Sequence, residues 1–432
     1  MKTRRDFLRS TLLGASASWT VPMFVERTFA DLHARSKDLA IQGVTGKDDT
    51  ILVVLQLAGG NDGLNTVVPF QDDAYYRARP KIAKAEKEVI RLADGMGLNA
   101  SMPFLGSLYD EGGLAVVQGV GYPNPNRSHF VSTSVWETGD PAVRSNTGWL
   151  GRYFDNACQG SDPTVGISLN KTQPEAFGAL HNPGVCLSSP QLYRWIHGGG
   201  EQAQAEAFFD SLNSPEESVA GASIAEPSVG RVGGVAGESN LAFLERVAMD
   251  ARVSSDKILE VAAKHRTRVK YEGTPVSRSL NMVARMIAGQ MPTRVYYVSH
   301  GGFDTHNGQV NSHDRLLGQL DRALKAFFAD LKEQGNADRV TVMTFSEFGR
   351  RVAENASSGT DHGKASCLFV AGGGVQGGLF GKMPSLTDLD AGDLKHAVDF
   401  RQVYATVLED WLRAPSEPVL KAHYGKLGFF TA

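Results

Sequence analysis

Cysteine is scarce in this chain: Cys158, Cys186 and Cys367 are the only three in 432 residues. None has the close, paired spacing of a metal finger. Cys367 lies in an apolar run and reads as a small buried residue. Spacing alone leaves a Cys158–Cys186 disulfide open. Excess charge is also missing, since 44 Lys and Arg against 47 Asp and Glu give a formal −3. That balance carries no bulk signal for nucleic acid or for an anionic membrane. No internal repeat is present, and no dinucleotide-binding fingerprint. Gly372, Gly373, Gly374, Gly377 and Gly378 follow an apolar run, but their spacing is wrong for that fingerprint and no helix opens at them. A turn or β-hairpin is expected there.

Glycine, by contrast, is abundant, with 47 residues, many of them just after apparent strands. The N-terminus reads as an address. Thr3-Arg4-Arg5-Asp6-Phe7-Leu8-Arg9 matches a twin-arginine export signal, and an Ala/Gly/Ser-rich apolar segment follows to about Phe24. That segment is too short for a stable membrane span. Residues 1–30 are therefore expected to be a signal peptide, and the protein periplasmic or secreted without a transmembrane span. Residues 45–432 are expected to form a single α/β domain with a Gly/Ala/Ser-rich excursion near 214–240.

Continuous apolar runs mark buried strands at Ile51 to Leu57, Leu114 to Val120, Arg294 to Ser299, Val340 to Phe345 and Cys367 to Val370, with a shorter one at Val185 to Ser188. Helical spacing falls at Met102 to Glu111, from about Ser128 toward Glu137, at Leu316 to Gln334 and at Phe400 to Leu412. The charged stretch Tyr75 to Glu88 reads as a helix or surface loop. Asn240 to Gln290 reads as two helices broken at Gly273-Thr274-Pro275. Alternating strands and helices predict a parallel-rich central sheet with helices on both faces.

Acids and imidazoles stand where these strands end. Asp62 follows the first strand in Gly59-Gly60-Asn61-Asp62-Gly63. Asp304 and His306 follow a later one in Gly301-Gly302-Phe303-Asp304-Thr305-His306. Glu347 follows the next, and His362 lies beyond it in Gly359-Thr360-Asp361-His362-Gly363. In a parallel α/β sheet, ligands gather at the carboxyl ends of the strands. This mix of oxygen and nitrogen donors predicts a divalent metal (zinc, manganese, magnesium or calcium), with Asp62, Asp304, His306, Glu347 and His362 as ligands. Ser128, at an expected helix start, is the candidate nucleophile, because a helix N-terminus favours an anion. As an ordinary N-cap it would need no catalytic role. Arg127 and Arg350 are candidate substrate-binding residues. Asn61, His129 and Asp361 are candidates to support the ligands, with His300 and His313 weaker.

At these residues the chain resembles the DUF1501 family of exported bacterial proteins. The motifs are Leu57 to Pro69, Arg127 to Phe130, Gly301 to His306, Thr344 to Arg350 and Gly359 to Gly363, and the resemblance runs over nearly the whole mature chain. More remotely it resembles the alkaline phosphatase and sulfatase superfamily. That resemblance implies an alkaline-phosphatase-like fold holding two metals, with Asp62 as the first acid, Ser128 as nucleophile, Asp304 and His306 as an Asp/His pair and His362 as the last histidine. Two departures stand out. Asp304 and His306 have one residue between them where the superfamily has three, and Phe348 stands where a histidine ligand is expected.

The function so implied is an exported metal-dependent hydrolase or transferase acting on a phosphate or sulfate ester, with an anionic ester or envelope polymer as its ligand. The alternative is a non-catalytic envelope scaffold on a degenerate hydrolase fold, binding a polysaccharide or a protein partner. Neither expectation involves nucleic acid.

Overall fold

Ile51–Ala58 forms the first strand, β1, with seven of its eight residues buried. Its side chains divide between two cores. Leu52 and Val54 enter one, and Ile51, Val53 and Leu55 the other. A strand buried on both faces needs no polar alternation, which is why the run is continuous. The computed structural model describes residues 49–158, 162–187, 258 and 260–431. These all fall within one compact unit, Gly43–Pro190 with Asp256–Ala432. The expected signal peptide and the 214–240 excursion lie outside the described residues.

The other strands of the main sheet are β2 (Leu114–Gly121), β3 (Gly166–Ser168), β4 (Val185–Cys186), β5 (Val295–Gly301), β6 (Val340–Phe345), β7 (Ser366–Gly372), β8 (Gly378–Phe380) and β9 (Val398–Asp399). Their order is β8-β2-β7-β6-β1-β5-β3-β4, with β9 also pairing with β2. The class is α/β with a mostly parallel sheet, as expected. The exception is β7, which runs antiparallel to both β2 and β6. Its apolar run carries no sign of direction, so the sequence left this undecided. The glycines after β7 do make a turn, but not a hairpin, because β2 lies between β7 and β8.

Helices α1 (Pro103–Asp110), α2 (His129–Thr138), α3 (Trp149–Ala157), α4 (Pro275–Ala288), α5 (Gln309–Glu333) and α6 (Phe400–Thr406) cover the sheet. One core packs Trp136 of α2, Tyr153 of α3 and Tyr404 of α6 against Leu52 and Val54. The other packs Leu105 of α1, Leu280 of α4 and the Leu317, Leu320, Leu324 and Phe327 stripe of α5 against Val53 and Leu55. Helix α5 begins seven residues before the expected Leu316. Its first two turns are polar, so the apolar period starts late. The expected closing helix is α-helical to Thr406 and continues as a π-helical turn, Val407–Trp411. All three thiols are free, so no Cys158–Cys186 bridge forms.

Strands β6, β1 and β5 are adjacent and parallel, with Gln56 level with Phe345 and Ala58 level with Gly301. Their carboxyl ends therefore open at one edge of the sheet, and the acid- and histidine-bearing loops all leave from there.

Candidate metal centre

The loops after β1 and β5 touch backbone to backbone. A Cβ on Gly59 would lie 2.4 Å from the Asp304 nitrogen, well inside contact distance. Gly59 also has φ +120, a conformation open to glycine and rarely to other residues. Glycine here is what lets the Asp304 loop close over the end of β1.

Arg350 then ties the loops together. Its Nε donates to the Gly60 carbonyl at 2.7 Å, Nη1 to the Thr360 carbonyl at 2.8 Å, and Nη2 to the Phe303 carbonyl at 3.0 Å and Asp304 Oδ1 at 2.7 Å. The side chain is wholly buried. Arg350, expected to bind substrate, is instead a cross-tie with no face toward solvent.

Three histidines converge on Asp304. His306 Nε2 is 3.0 Å from Oδ1, His362 Nε2 is 3.2 Å from Oδ1, and His129 Nε2 is 3.6 Å from Oδ2. The two nitrogens His306 Nε2 and His362 Nε2 are 2.9 Å apart. Each ring has an acceptor at its other nitrogen: the Arg127 carbonyl at 2.8 Å for His362, Asp361 Oδ1 at 3.3 Å for His306 and Glu347 Oε1 at 2.8 Å for His129. A ring that donates from Nδ1 keeps an Nε2 lone pair for a cation set beside Asp304, and one that donates from Nε2 bonds the carboxylate directly. Such an outer acceptor behind each ring is the usual support of a metal-bound histidine. The ligand atoms of His129, Asp304 and His362 lie within 4.8 Å of one another. The triangle of Asp304, His306 and His362 is tighter still, with edges of 3.0, 3.2 and 2.9 Å. Burial alone would raise the Asp304 carboxyl, but hydrogen bonds from Arg350 and His362 outweigh it and hold it below its ordinary value.

The remaining candidates separate. Asp62 does not join the cluster. It is wholly buried, caps the short helix Gly63–Thr66, and pairs with Arg79 Nη1 at 2.6 Å while accepting from Gln309. Its carboxylate is already spent, which corrects its expected role as a ligand. Burial pushes that carboxyl up, but the Arg79 charge and hydrogen bond, with His313 and Gln309, together outweigh it and the net direction is down. Glu347 also changes role. It accepts from the Gly59 nitrogen at 2.8 Å and stands behind His129, so it supports the ring that was expected to be the supporting group.

Asn61 serves the Asp62 side, accepting from His313 Nε2 at 2.9 Å. Asp361 stays where expected, behind His306. His300 is tied to the Leu316 carbonyl at 3.0 Å, and neither it nor His313 reaches the cluster. Phe348 is buried, with ring centroids 4.6 Å from His362 and 4.9 Å from His129. It forms an apolar floor where a second histidine would stand.

Ser128 precedes α2 as its N-cap and is exposed. Its backbone nitrogen donates to Asn126 Oδ1 at 2.7 Å, and its hydroxyl has no hydrogen-bond partner among the described residues. It sits between two residues already committed to the cluster, Arg127 by its carbonyl and His129 by its ring. Arg127, His306, Arg351, Asp361 and His362 line a hollow of about 320 Å³. A neighbouring hollow of about 390 Å³ is lined by Tyr122, Pro125, Lys364, Leu394, Lys395 and others. It is the larger, but the converging histidines face the smaller. Arg79 was not picked out in the sequence, and Arg351 reads there like Arg350, as a partner for Glu347 or for a substrate. Arg351 stands beside Arg350 with nothing to tell them apart, and Arg79 lies in a charged stretch that reads as surface.

The model of the family described as "Protein of unknown function (DUF1501)" matches residues 241–422, and the resemblance drawn from the motifs is confirmed there. That span holds the Asp304, Glu347 and His362 motifs; the Asp62 and Ser128 motifs lie outside it. No curated protein matches the sequence. Among solved structures the chain is similar to the PsFucS1 sulfatase from Pseudoalteromonas sp., at 12% identity over 92% of this chain and 76% of that one, TM-score 0.36. It is also similar to Ps i-CgsB in complex with k-i-k-neocarrahexaose, at 11% identity over 88% and 76%, TM-score 0.35. A third is the lipoteichoic acid synthase LtaP from Listeria monocytogenes, at 9% identity over 79% and 69%, TM-score 0.31.

Proposed function

We propose that this protein is an exported, metal-dependent hydrolase or transferase of phosphate or sulfate esters, working with one metal rather than two. The observation that carries the reading is the set of three imidazole Nε2 atoms aimed at the Asp304 carboxylate, each ring held by an acceptor on its far side. Asp304, His306 and His362 would hold the ion, with His129 as a fourth donor. Two or three imidazoles with a single carboxylate suit zinc or manganese better than magnesium or calcium. When bound, such an ion polarises an ester oxygen and stabilises the charge that develops on it.

The chain's own residues supply the rest. Ser128 brings an unbonded hydroxyl to a helix N-terminus, where an anion is favoured. Its attack on phosphorus or sulfur would displace the ester oxygen and leave the transferred group on Oγ for water or a second hydroxyl to remove. Glu347 and Asp361 hold the rings in one tautomer, and Arg350 fixes the loops that carry Asp304. Among the described residues a second ion lacks ligands, because Asp62 is spent on Arg79, Glu347 on His129, and Phe348 is apolar. Export rests on the twin-arginine motif, and an anionic envelope polymer is the natural ligand at that location.

The test is elemental analysis of the purified mature protein, followed by turnover of aryl phosphates and aryl sulfates. Bound zinc or manganese with turnover that Ser128→Ala abolishes is the expected result. Equal trace turnover in wild type and Ser128→Ala would remove the serine from the chemistry. Phe348 in place of a histidine favours a second reading, a binding scaffold. Stoichiometric metal, no turnover on any ester and a stable partner in pull-downs would select it.

A further inference from the structure

Arg127 and Arg351 come from distant parts of the chain and line the hollow that holds His306 and His362. Between them lies Asp393, whose side chain is wholly buried. Arg127 Nη2 bonds Asp393 Oδ2, and Arg351 Nε lies 3.5 Å from Oδ1. The two arginine side chains are still 39% and 37% exposed. A carboxylate is buried only with a partner, and one guanidinium would suffice to balance its charge. Here two share one, so the Arg127–Asp393–Arg351 group is left one charge positive. Asp361 lines the same hollow, hydrogen-bonded to His306 and Asn355, and its charge partly offsets that one.

The turn that carries Asp393 is shaped around Arg351. Asp390 and Asp393 exchange backbone hydrogen bonds at 2.9 and 3.1 Å. Ala391 and Gly392 between them have φ 53 and 88. The Ala391 carbonyl accepts from Arg351 Nη2 at 2.6 Å, and a Cβ on Gly392 would stand 3.3 Å from that nitrogen. A left-handed alanine is uncommon, so the turn is held by these contacts rather than by local preference. Arg127 Nε and Nη1 and Arg351 Nη1 have no hydrogen-bond partner among the described residues.

We propose that Arg127 and Arg351, set in place by Asp393, form a clamp for a tetrahedral oxyanion, a sulfate or phosphate group on the ligand. Donors from two separate guanidinium planes suit a group whose oxygens are not coplanar, whereas a carboxylate matches a single planar fork. Asp393 is a positioning residue that never meets the ligand. The choice of sulfate or phosphate rests on the ester reading above; the clamp itself does not need turnover.

The experiment titrates inorganic sulfate and inorganic phosphate, with acetate as a planar control, into the full chain with and without metal, by calorimetry at low ionic strength. Sulfate or phosphate should bind without metal and more tightly than acetate. Arg351→Gln and Arg127→Gln should each weaken binding roughly tenfold or more. Asp393→Asn should weaken it with metal content unchanged, which a merely structural role would not do. Arg351→Lys keeps the charge but loses the fork, so it should restore binding only in part; it also serves if the glutamine variant does not fold. Wild-type affinity in either arginine variant overturns the clamp, as does anion binding that vanishes when metal is removed. Arginine-dependent binding without any turnover would keep the clamp and sink the hydrolase. Turnover and anion affinity both untouched by Arg351→Gln would do the reverse.

Discussion

Asp62 and Asp304 follow neighbouring parallel strands, each after a pair of glycines, and end in opposite states. Around Asp62 every demand is met inside the protein. Arg79 neutralises the charge, Gln309 and the Leu64 nitrogen donate to the carboxylate, and the residue has no exposed surface. Around Asp304, Arg350 pairs with Oδ1, yet the side chain is 47% exposed and three histidines turn Nε2 toward it. One centre holds loops together, and the other is poised for something from outside. Residue type and position after a strand are shared, so neither tells the two apart. What separates them is how much hydrogen-bonding capacity remains unspent after folding.

The comparison breaks most sharply if the ligands are cut. His306→Ala and His362→Ala should take bound metal from stoichiometric to background, while melting in metal-free buffer changes little. Metal content unchanged in both would remove the distinction. Next in size is Arg79→Met, which leaves Asp62 charged and unpaired in the interior. A loss of about 3–5 kcal/mol in denaturant unfolding is expected, and a loss under about 1 kcal/mol would mean that Asp62 is not the saturated centre described.

The third effect is acid sensitivity on the Asp62 side. His313 is buried, donates to Asn61 from Nε2 and has no partner at Nδ1 among the described residues; burial pulls its imidazole down to about 4. The unfolded chain takes up this proton at about pH 6.5, and the fold resists it. Stability should therefore be full above pH 6.5 and fall by about 3 kcal/mol as pH drops to about 4. His313→Gln should flatten that part of the profile, and identical slopes in the two proteins would assign the acid loss elsewhere. Smallest is Glu347→Gln, which keeps an oxygen for His129 and Gly59 but removes the charge behind the ring. Metal affinity should drop about 10–100-fold, read by chelator competition, and no change would take His129 out of the centre.

Much of the architecture was legible from the chain. Unbroken apolar runs gave β1, β2, β5 and β6, because doubly buried strands need no alternation. Asp304 and His306 stood out because a Gly-Gly-Phe-Asp-Thr-His segment is costly as turn chemistry alone, and His362 because Asp361 and Gly363 flank it. Less legible was the direction of β7, which depends on pairing partners rather than on its own residues. The roles of Asp62 and Glu347 were hidden too, because both were assigned by kind and place. Arg79 reaches Asp62 from 17 residues away, and His129 reaches Glu347 across 218.

The sequence by itself determined which segments are strands and that their ends carry acids and imidazoles. Those properties are local, written in hydrophobic runs and glycines. Only the tertiary structure decided which arginine-paired carboxylate is sealed inside, which stands half open among histidines, and which of two consecutive arginines faces the pocket. Such choices depend on the distances between side chains that folding alone brings together, and on whether water or protein satisfies each charge.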